Sequence, residues 1–295
     1  MTEIPKNHPR YESLVTREQI SAGVDKGITS RQGLIAQGRG EAFDYLIGEK
    51  TIESAEYAEA VSVALLLLAK KPVISVNGNA AALAAADLVT LSKLTGALLE
   101  VNLFHRTDER VKKIIDELKN TGADVVLGEN AEPLLPLEHE RAKVEREGIY
   151  DADVIFVPLE DGDRCKVLAE MKKLVIAVDL NPLSRTAQTA HVSIIDNFKR
   201  AVSNMIKMIP EFKEMTEKDL WEIVEAYDNN IVLVDAIETI KENLTAEQNK
   251  ILGIEDEKNN SGAQPQKEPK KRVRMQRNAE IAKRVMSRGG DLMME

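Results

Sequence analysis

The 295-residue chain has a single cysteine, Cys165, which excludes an internal disulfide and any cysteine-paired metal site. Such sparing use fits a reducing compartment, so a cytoplasmic setting is expected. Aromatic residues amount to only 4%, too few to furnish a stacking platform for single-stranded nucleic acid. The four histidines, His8, His105, His139 and His191, are scattered. No HExxH zinc motif, GxSxG nucleophile elbow or GxGxxG dinucleotide fingerprint is present. Gly48-Glu49-Lys50-Thr51 faintly echoes a Walker loop. However, Glu49 parts the glycine from the lysine, and Phe43 stands where the leading glycine belongs. The longest apolar run, AVSVALLLLA at 60–69, is about half of the roughly 20 residues a membrane span needs. It reads as a buried helix. The opening MTEIPKNHPRYESL lacks the apolar core of a secretory signal.

What is present is a globular balance, 43% hydrophobic and 30% charged, with net charge −9. The charge is uneven: residues 264–295 hold nine Lys/Arg against four Asp/Glu, so the remainder is strongly acidic. An acidic body is a poor general partner for nucleic acid, and any anionic ligand must be held by local cations. Residues 255–271 (EDEKNNSGAQPQKEPKK) offer no core-forming positions. The expected organisation is therefore one folded domain over 1–253, followed by a polar linker and a basic, disordered tail over 254–295. The stretch KKRVRMQR in that tail leaves open contact with nucleic acid or an acidic partner, or a neutral extension.

Helical spacing is expected over 12–27, and a strongly apolar helix over Glu53–Ala69. Between them lies a glycine-punctuated segment without clean periodicity. From residue 72 short apolar runs alternate with helical stretches: PVISV, ALLEVNLF, ADVVLG, ADVIFVPLE, LVIAVDLN and HVSIIDN. This pattern predicts an α/β fold, a mostly parallel sheet with helices on both faces. Further helices are expected over 197–208 and 217–252.

Ligands of such sheets bind beyond the carboxyl ends of the strands. Five strand ends run into polar residues: Asn77-Gly78-Asn79, His105-Arg106, Glu160 to Arg164, Asp179-Leu180-Asn181 with Arg185-Thr186, and Asp196-Asn197. Their agreement suggests one cleft. Asn77-Gly78-Asn79 leads into a small-residue helix, where Gly78 would allow positive φ and the helix start would favour a phosphate. A plain turn with asparagine as N-cap is the alternative. The carboxylates of EDGDR suit a magnesium ion held partly by phosphates, or else form a solvated turn with Asp163 capping the next helix. Arg39, between glycines, suits a guanidinium reaching an anion. Cys165 beside Arg164 is either a thiol of lowered pKa or a buried bystander.

Taken together, IPKNHPRYESL, GLIAQGRGEAFDYLIGE, PVISVNGNAAAL, EVNLFHRTDER, FVPLEDGDR and VDLNPLSRTA resemble the archaeal phosphopantothenate synthetase family, from about Ile4 to about Met208. The resemblance implies a Rossmann-like homodimer that uses ATP and Mg²⁺ to join 4-phosphopantoate to β-alanine through a phosphopantoyl adenylate, on the archaeal route to coenzyme A. It places ATP contacts at Arg17, Arg39, Asp179, Leu180, Asn181, Arg185, Thr186, and at Asp196 or Asn197 with Phe198. By strand-end position, Asn77, Gly78 and Asn79 with His105 and Arg106 are expected around phosphopantoate. Arg39, His105, Arg106, Asp161 and Asp163 are the expected catalytic group, with Asp161 and Asp163 candidates for Mg²⁺ or substrate positioning. His105 or an ordered carboxylate would take the amine proton; the metal ligands are open. Other readings are a ligase for a different acid, and a nucleotide-binding protein without turnover.

Overall fold

A computed structural model describes residues 4–8, 10–158 and 162–254. Three helices precede the sheet: α1 (Tyr11–Asp25), α2 (Arg31–Ile47) and α3 (Glu53–Leu68). Alternation then begins with β1 (Pro72–Val76), α4 (Gly78–Thr95), β2 (Leu98–Val101), α5 (Asp108–Asn120) and β3 (Val126–Leu127). An excursion follows, carrying the antiparallel pair β4 (Glu132–Pro133) and β5 (Lys143–Val144) and a wide turn over Arg146–Tyr150. The chain returns through β6 (Val154–Pro158), α6 (Gly162–Glu170), β7 (Leu174–Val178), α7 (Arg185–Thr189) and β8 (Val192–Ile194). The described residues end with α8 (Phe198–Lys213), α9 (Glu217–Glu225) and α10 (Asn229–Leu252), closed by Gly253 in the left-handed conformation.

The main sheet runs β3-β2-β1-β6-β7-β8 with every pairing parallel. The chain moves outward from β1 in one direction and from β6 in the other. That is the doubly wound order, with its switch point between β1 and β6. Alternate strand residues enter two separate cores. Ile74, Val76, Leu99, Phe156 and Val178 face α3, α4 and α8. Val73, Ile155, Val157 and Val175 face the other side, with Cys165 and Leu168 of α6. Burial on both faces explains why these strands read as continuous apolar runs. Cys165 is fully buried in the second core, so the bystander reading of that thiol holds.

Three expectations change. The segment without periodicity is the helix α2. Its Gly33, Gly38 and Gly40 interrupt any apolar stripe, yet Ser30 caps its start by accepting the Gly33 N–H at 3.2 Å, and Gly48 closes it at φ 100°. The helix expected over 217–252 is broken between α9 and α10. There the Tyr227 hydroxyl accepts the Ser193 N–H at 3.1 Å and Asp228 caps α10, so the break is docked against β8. Gly78 is not at positive φ; it opens α4 directly, and its need for glycine is steric.

One polar cluster sits within the second face. Ser75 and Glu100 are register partners on β1 and β2. The fully buried Arg164 donates to Ser75 Oγ at 2.9 Å. Glu100 accepts the Glu145 and Ile149 N–H groups at 2.9 and 2.6 Å, fastening the 145–150 turn to the sheet. Burial pushes its carboxyl up to about 7, against the pull of those two donors.

Candidate active site

Parallel pairing throughout brings six strand ends to one edge. At the switch point Asn77 does two jobs. Its Oδ1 accepts the Ala80 N–H at 3.0 Å, capping α4, and its Nδ2 donates to the Pro158 carbonyl at 2.8 Å, tying the end of β1 to that of β6. Asn79 is buried and donates to the Gly33 carbonyl at 2.9 Å, so it anchors α2. A Cβ on Gly78 would collide with the Ile28 carbonyl oxygen and come within 2.8 Å of Arg110 Nη2.

These residues line a cavity of about 190 Å³ together with Phe104, His105, Arg110 and Arg141. Arg110 is held by carbonyls: Nε to Ile28 at 3.1 Å and Nη1 to His105 at 2.5 Å. Burial, then the Arg141 charge, lowers its proton affinity, although a guanidinium remains cationic. Arg141 is buried and reaches Asn102 Oδ1 at 3.4 Å. Two partly desolvated cations facing one cavity make a site for an anion. His105 stands exposed at the mouth, edge-on to Phe104 at 5.1 Å between ring centroids. Arg106 does not line this cavity; its Nη2 donates to the Gly128 carbonyl at 2.6 Å.

A second cavity, about 430 Å³, lies between α1, α2 and the first turn of α8, with Asn197, Lys199 and Arg200 in its wall. Around it and the neighbouring β7 loop stand the nucleotide candidates. Asp179 accepts the Asn181 N–H at 3.0 Å and the Ser184 hydroxyl at 2.5 Å. Burial raises its pKa, while those hydrogen bonds and the Arg39 charge lower it. Gly40, next to Arg39, lies against this loop: a Cβ there would meet Leu180 Cδ1 at 3.7 Å. Asn181 Oδ1 accepts the Leu183 N–H at 2.9 Å. Ser184 caps α7, which begins with exposed Arg185 and buried Thr186.

Arg185 pairs with Asp163 in the first turn of α6, which joins two of the expected residues. Asp161 lies outside the described residues. Arg17 is exposed and forks onto Glu41, with Nε to Oε2 at 3.0 Å and Nη2 to Oε1 at 2.8 Å. Asp196 is buried, its oxygens taken by Thr51 Oγ1 at 2.6 Å and Arg200 Nε at 3.0 Å. Phe198 is also buried, in the core. The side chains of Asp196 and Phe198 therefore face inward, and what they present to the edge is backbone at the start of α8, where N–H groups favour an anion.

Arg110, Arg141 and Arg200 were not named from the sequence, and Glu41 and Asp44 were given no role there. Arg110 stood inside the motif EVNLFHRTDER, one helical turn beyond Arg106. Arg141 sits in the irregular excursion, where no periodicity pointed to it. Among the described residues no group of three His, Cys, Asp or Glu side chains could hold a metal ion.

The sequence model of a family described as phosphopantothenate/pantothenate synthetase matches residues 54–243. The 4-phosphopantoate–β-alanine ligase of Methanosarcina mazei is 59% identical over 244 residues, 83% of this chain and 96% of that protein. The enzyme of the same name from Thermococcus kodakarensis is 52% identical over 247 residues, 83% of this chain and 95% of that one. That from Methanospirillum hungatei is 48% identical over 241 residues, 82% and 98% respectively.

Proposed function

The chain belongs to the phosphopantothenate/pantothenate synthetase family, and on that premise we propose that it is an ATP-dependent ligase joining 4-phosphopantoate to β-alanine. The observation that carries the reading is a pair of guanidinium groups, Arg110 and Arg141, facing a small cavity beside the switch point. Their charge suits a phosphorylated acid, and the about 190 Å³ suits a small one. The nucleotide goes to the other side of α2, against Arg17, Arg39, the Asp179–Asn181 loop, Arg185–Thr186 and the first turn of α8.

The chemistry follows from charge. A carboxylate is already nucleophilic at neutral pH, and the obstacle is its approach to a polyanion. Arg39, Arg110 and Arg141 would neutralise and align the two partners, which is where most of the acceleration must come from. The carboxylate oxygen bonds to the α-phosphorus as the bond to the bridging oxygen breaks and diphosphate leaves. The β-alanine amine then attacks the acyl carbon of the mixed anhydride, AMP departs, and the nitrogen sheds a proton. His105, exposed at the cavity mouth, is the proposed acceptor.

Magnesium belongs to this reading as the ion carried by the triphosphate. Asp163, Asp179 and Asp196 are each engaged by protein donors and do not form a cage, and Mg²⁺ is commonly held through one or two carboxylates and substrate phosphates. Asp163, and Asp161 beside it in sequence, remain the carboxylates proposed to touch that ion. A homodimer and a cytoplasmic setting are part of the same proposal, as is a single folded domain ending at residue 253. No described helix is long and apolar enough to cross a membrane.

Phosphorus NMR of the protein with ATP, Mg²⁺, 4-phosphopantoate and β-alanine tests the reading. AMP, diphosphate and phosphopantothenate, formed only with both organic substrates present, are expected. ADP and phosphate beside the same amide would replace the adenylate by an acyl phosphate. No ATP consumption by folded protein would refute the ligase.

A further inference from the structure

The two cavities at the carboxyl edge share one wall, the helix α2. Gln32, Gly33 and Ala36 face the smaller cavity; Gln37, Glu41 and Asp44 face the larger. Any reaction between a ligand in one and a ligand in the other depends on where this helix stands.

Apolar packing does little to hold it. Its only buried residues are Asp44 and Ile47, and Ile35 is 75% exposed. At its N-terminal end Asn79 donates to the Gly33 carbonyl at 2.9 Å. Further along, Glu41 takes Arg10 at 2.9 Å and the fork of Arg17 on the α1 side.

The best-buried attachment is Asp44. Its Oδ1 accepts Arg200 Nη2 at 2.6 Å, and its Oδ2 accepts Arg200 Nη1 and Asn197 Nδ2, each at 3.2 Å. Arg200 also reaches Asp196 Oδ1 through Nε at 3.0 Å, and Thr51 Oγ1 closes the far side of Asp196 at 2.6 Å. One guanidinium thus ties the helix carrying Arg39 to the end of β8 and the start of α8. A planar fork between two buried carboxylates fixes direction as well as distance, which a lysine ammonium does not.

We propose that Asp44 and Arg200 are positioning residues for the nucleotide: their ion pair sets α2 at the height where Gly40, next to Arg39, meets Leu180 of the Asp179 loop, and holds the first turn of α8 in register with it. The inference rests on the reading that ATP binds at this edge. The pair touches no reacting atom and acts through Arg39 and Asn197.

Asp44→Asn, close to isosteric, and Arg200→Lys, which keeps the charge but loses the fork, test it beside Arg200→Met. Each is first checked for a cooperative thermal transition. For the folded variants the KM for ATP is expected to rise about tenfold, with those for 4-phosphopantoate and β-alanine within about twofold of wild type. Arg200→Lys should fall between Arg200→Met and wild type, and Asp44→Asn combined with Arg200→Lys should be less than additive, because both cut the same link. A wild-type KM for ATP in folded variants, or an equal rise in all three constants, overturns the proposal. Calorimetric titration with ATP alone separates the two readings. If the wild type binds ATP but makes no amide, the ligase fails, and the pair is judged on affinity: weakened binding by the variants upholds it, unchanged binding refutes it.

Discussion

Replacing Gly78 with alanine perturbs fold and chemistry through the same atoms. The new Cβ would press on the Ile28 carbonyl oxygen and lie 3.2 Å from its carbon and 2.8 Å from Arg110 Nη2. The Ile28 carbonyl is the acceptor for Arg110 Nε, at 3.1 Å, so relief of the clash drives apart two groups that hold each other. Alanine gains about 0.5–1 kcal/mol over glycine within a helix. Overpacking against backbone costs about 1–3 kcal/mol, so the clash outweighs the propensity. At roughly 2–4 °C per kcal/mol for a domain of this size, the melting temperature should fall by several degrees. The guanidinium should move by about 1 Å, a displacement that can cost on the order of 100-fold in rate. Differential scanning calorimetry and steady-state kinetics with 4-phosphopantoate varied would read both effects. A variant that melts at or above the wild-type temperature and keeps kcat/KM for 4-phosphopantoate would refute the steric reading of Gly78 and the place of Arg110.

Arg110→Ala should raise the KM for 4-phosphopantoate by about tenfold or more, whereas Arg106→Ala, whose guanidinium is turned to the Gly128 carbonyl, should change it less; the reverse order would put the acid elsewhere. Glu59, fully buried on α3, has its carboxyl pushed up to about 9 by burial and then by the Asp196 charge. The folded state therefore keeps a proton that the unfolded chain releases near pH 4.3, and stability contributed by that neutral acid is lost as pH rises toward about 9. Glu59→Gln, neutral throughout, should flatten the fall in melting temperature between about pH 7.5 and 9; an unaltered slope would show that Glu59 is ionised at neutral pH.

The strands were legible because burial on both faces leaves a run of apolar residues with no alternation, as in PVISV and LVIAV, each bounded by polar residues. The common edge followed from parallel pairing; the naming of nucleotide contacts along it came from the family resemblance. The helix α2 was not legible: Asp44 and Ile47 are its only buried residues, so no stripe marks it, and its ends are set by Ser30 and Gly48. Arg141 was hidden for a related reason. The excursion that carries it is fastened by hydrogen bonds such as Glu145 Oε1 accepting Gly128 N–H at 2.6 Å, and such long-range polar ties leave no periodic trace. The order of the strands was equally silent in sequence, since it depends on which edge each crossover takes.

An acidic protein that handles polyanions must keep its cations from its own carboxylates, and the arginines at this edge divide on that point. Arg110 is pinned by neutral carbonyls, so its charge faces the cavity uncancelled by those contacts. Arg17 is forked onto Glu41 and Arg185 paired with Asp163. Each of these two guanidinium groups already has a carboxylate partner, and Glu41 is shared between Arg17 and Arg10. An anion reaching Arg110 therefore gains without a competing separation of charge, whereas one reaching Arg17 must replace a bidentate carboxylate, a fair exchange only for a group of higher charge. In the proposed function this division fits the small cavity to the phosphorylated acid and the Arg17 side to ATP.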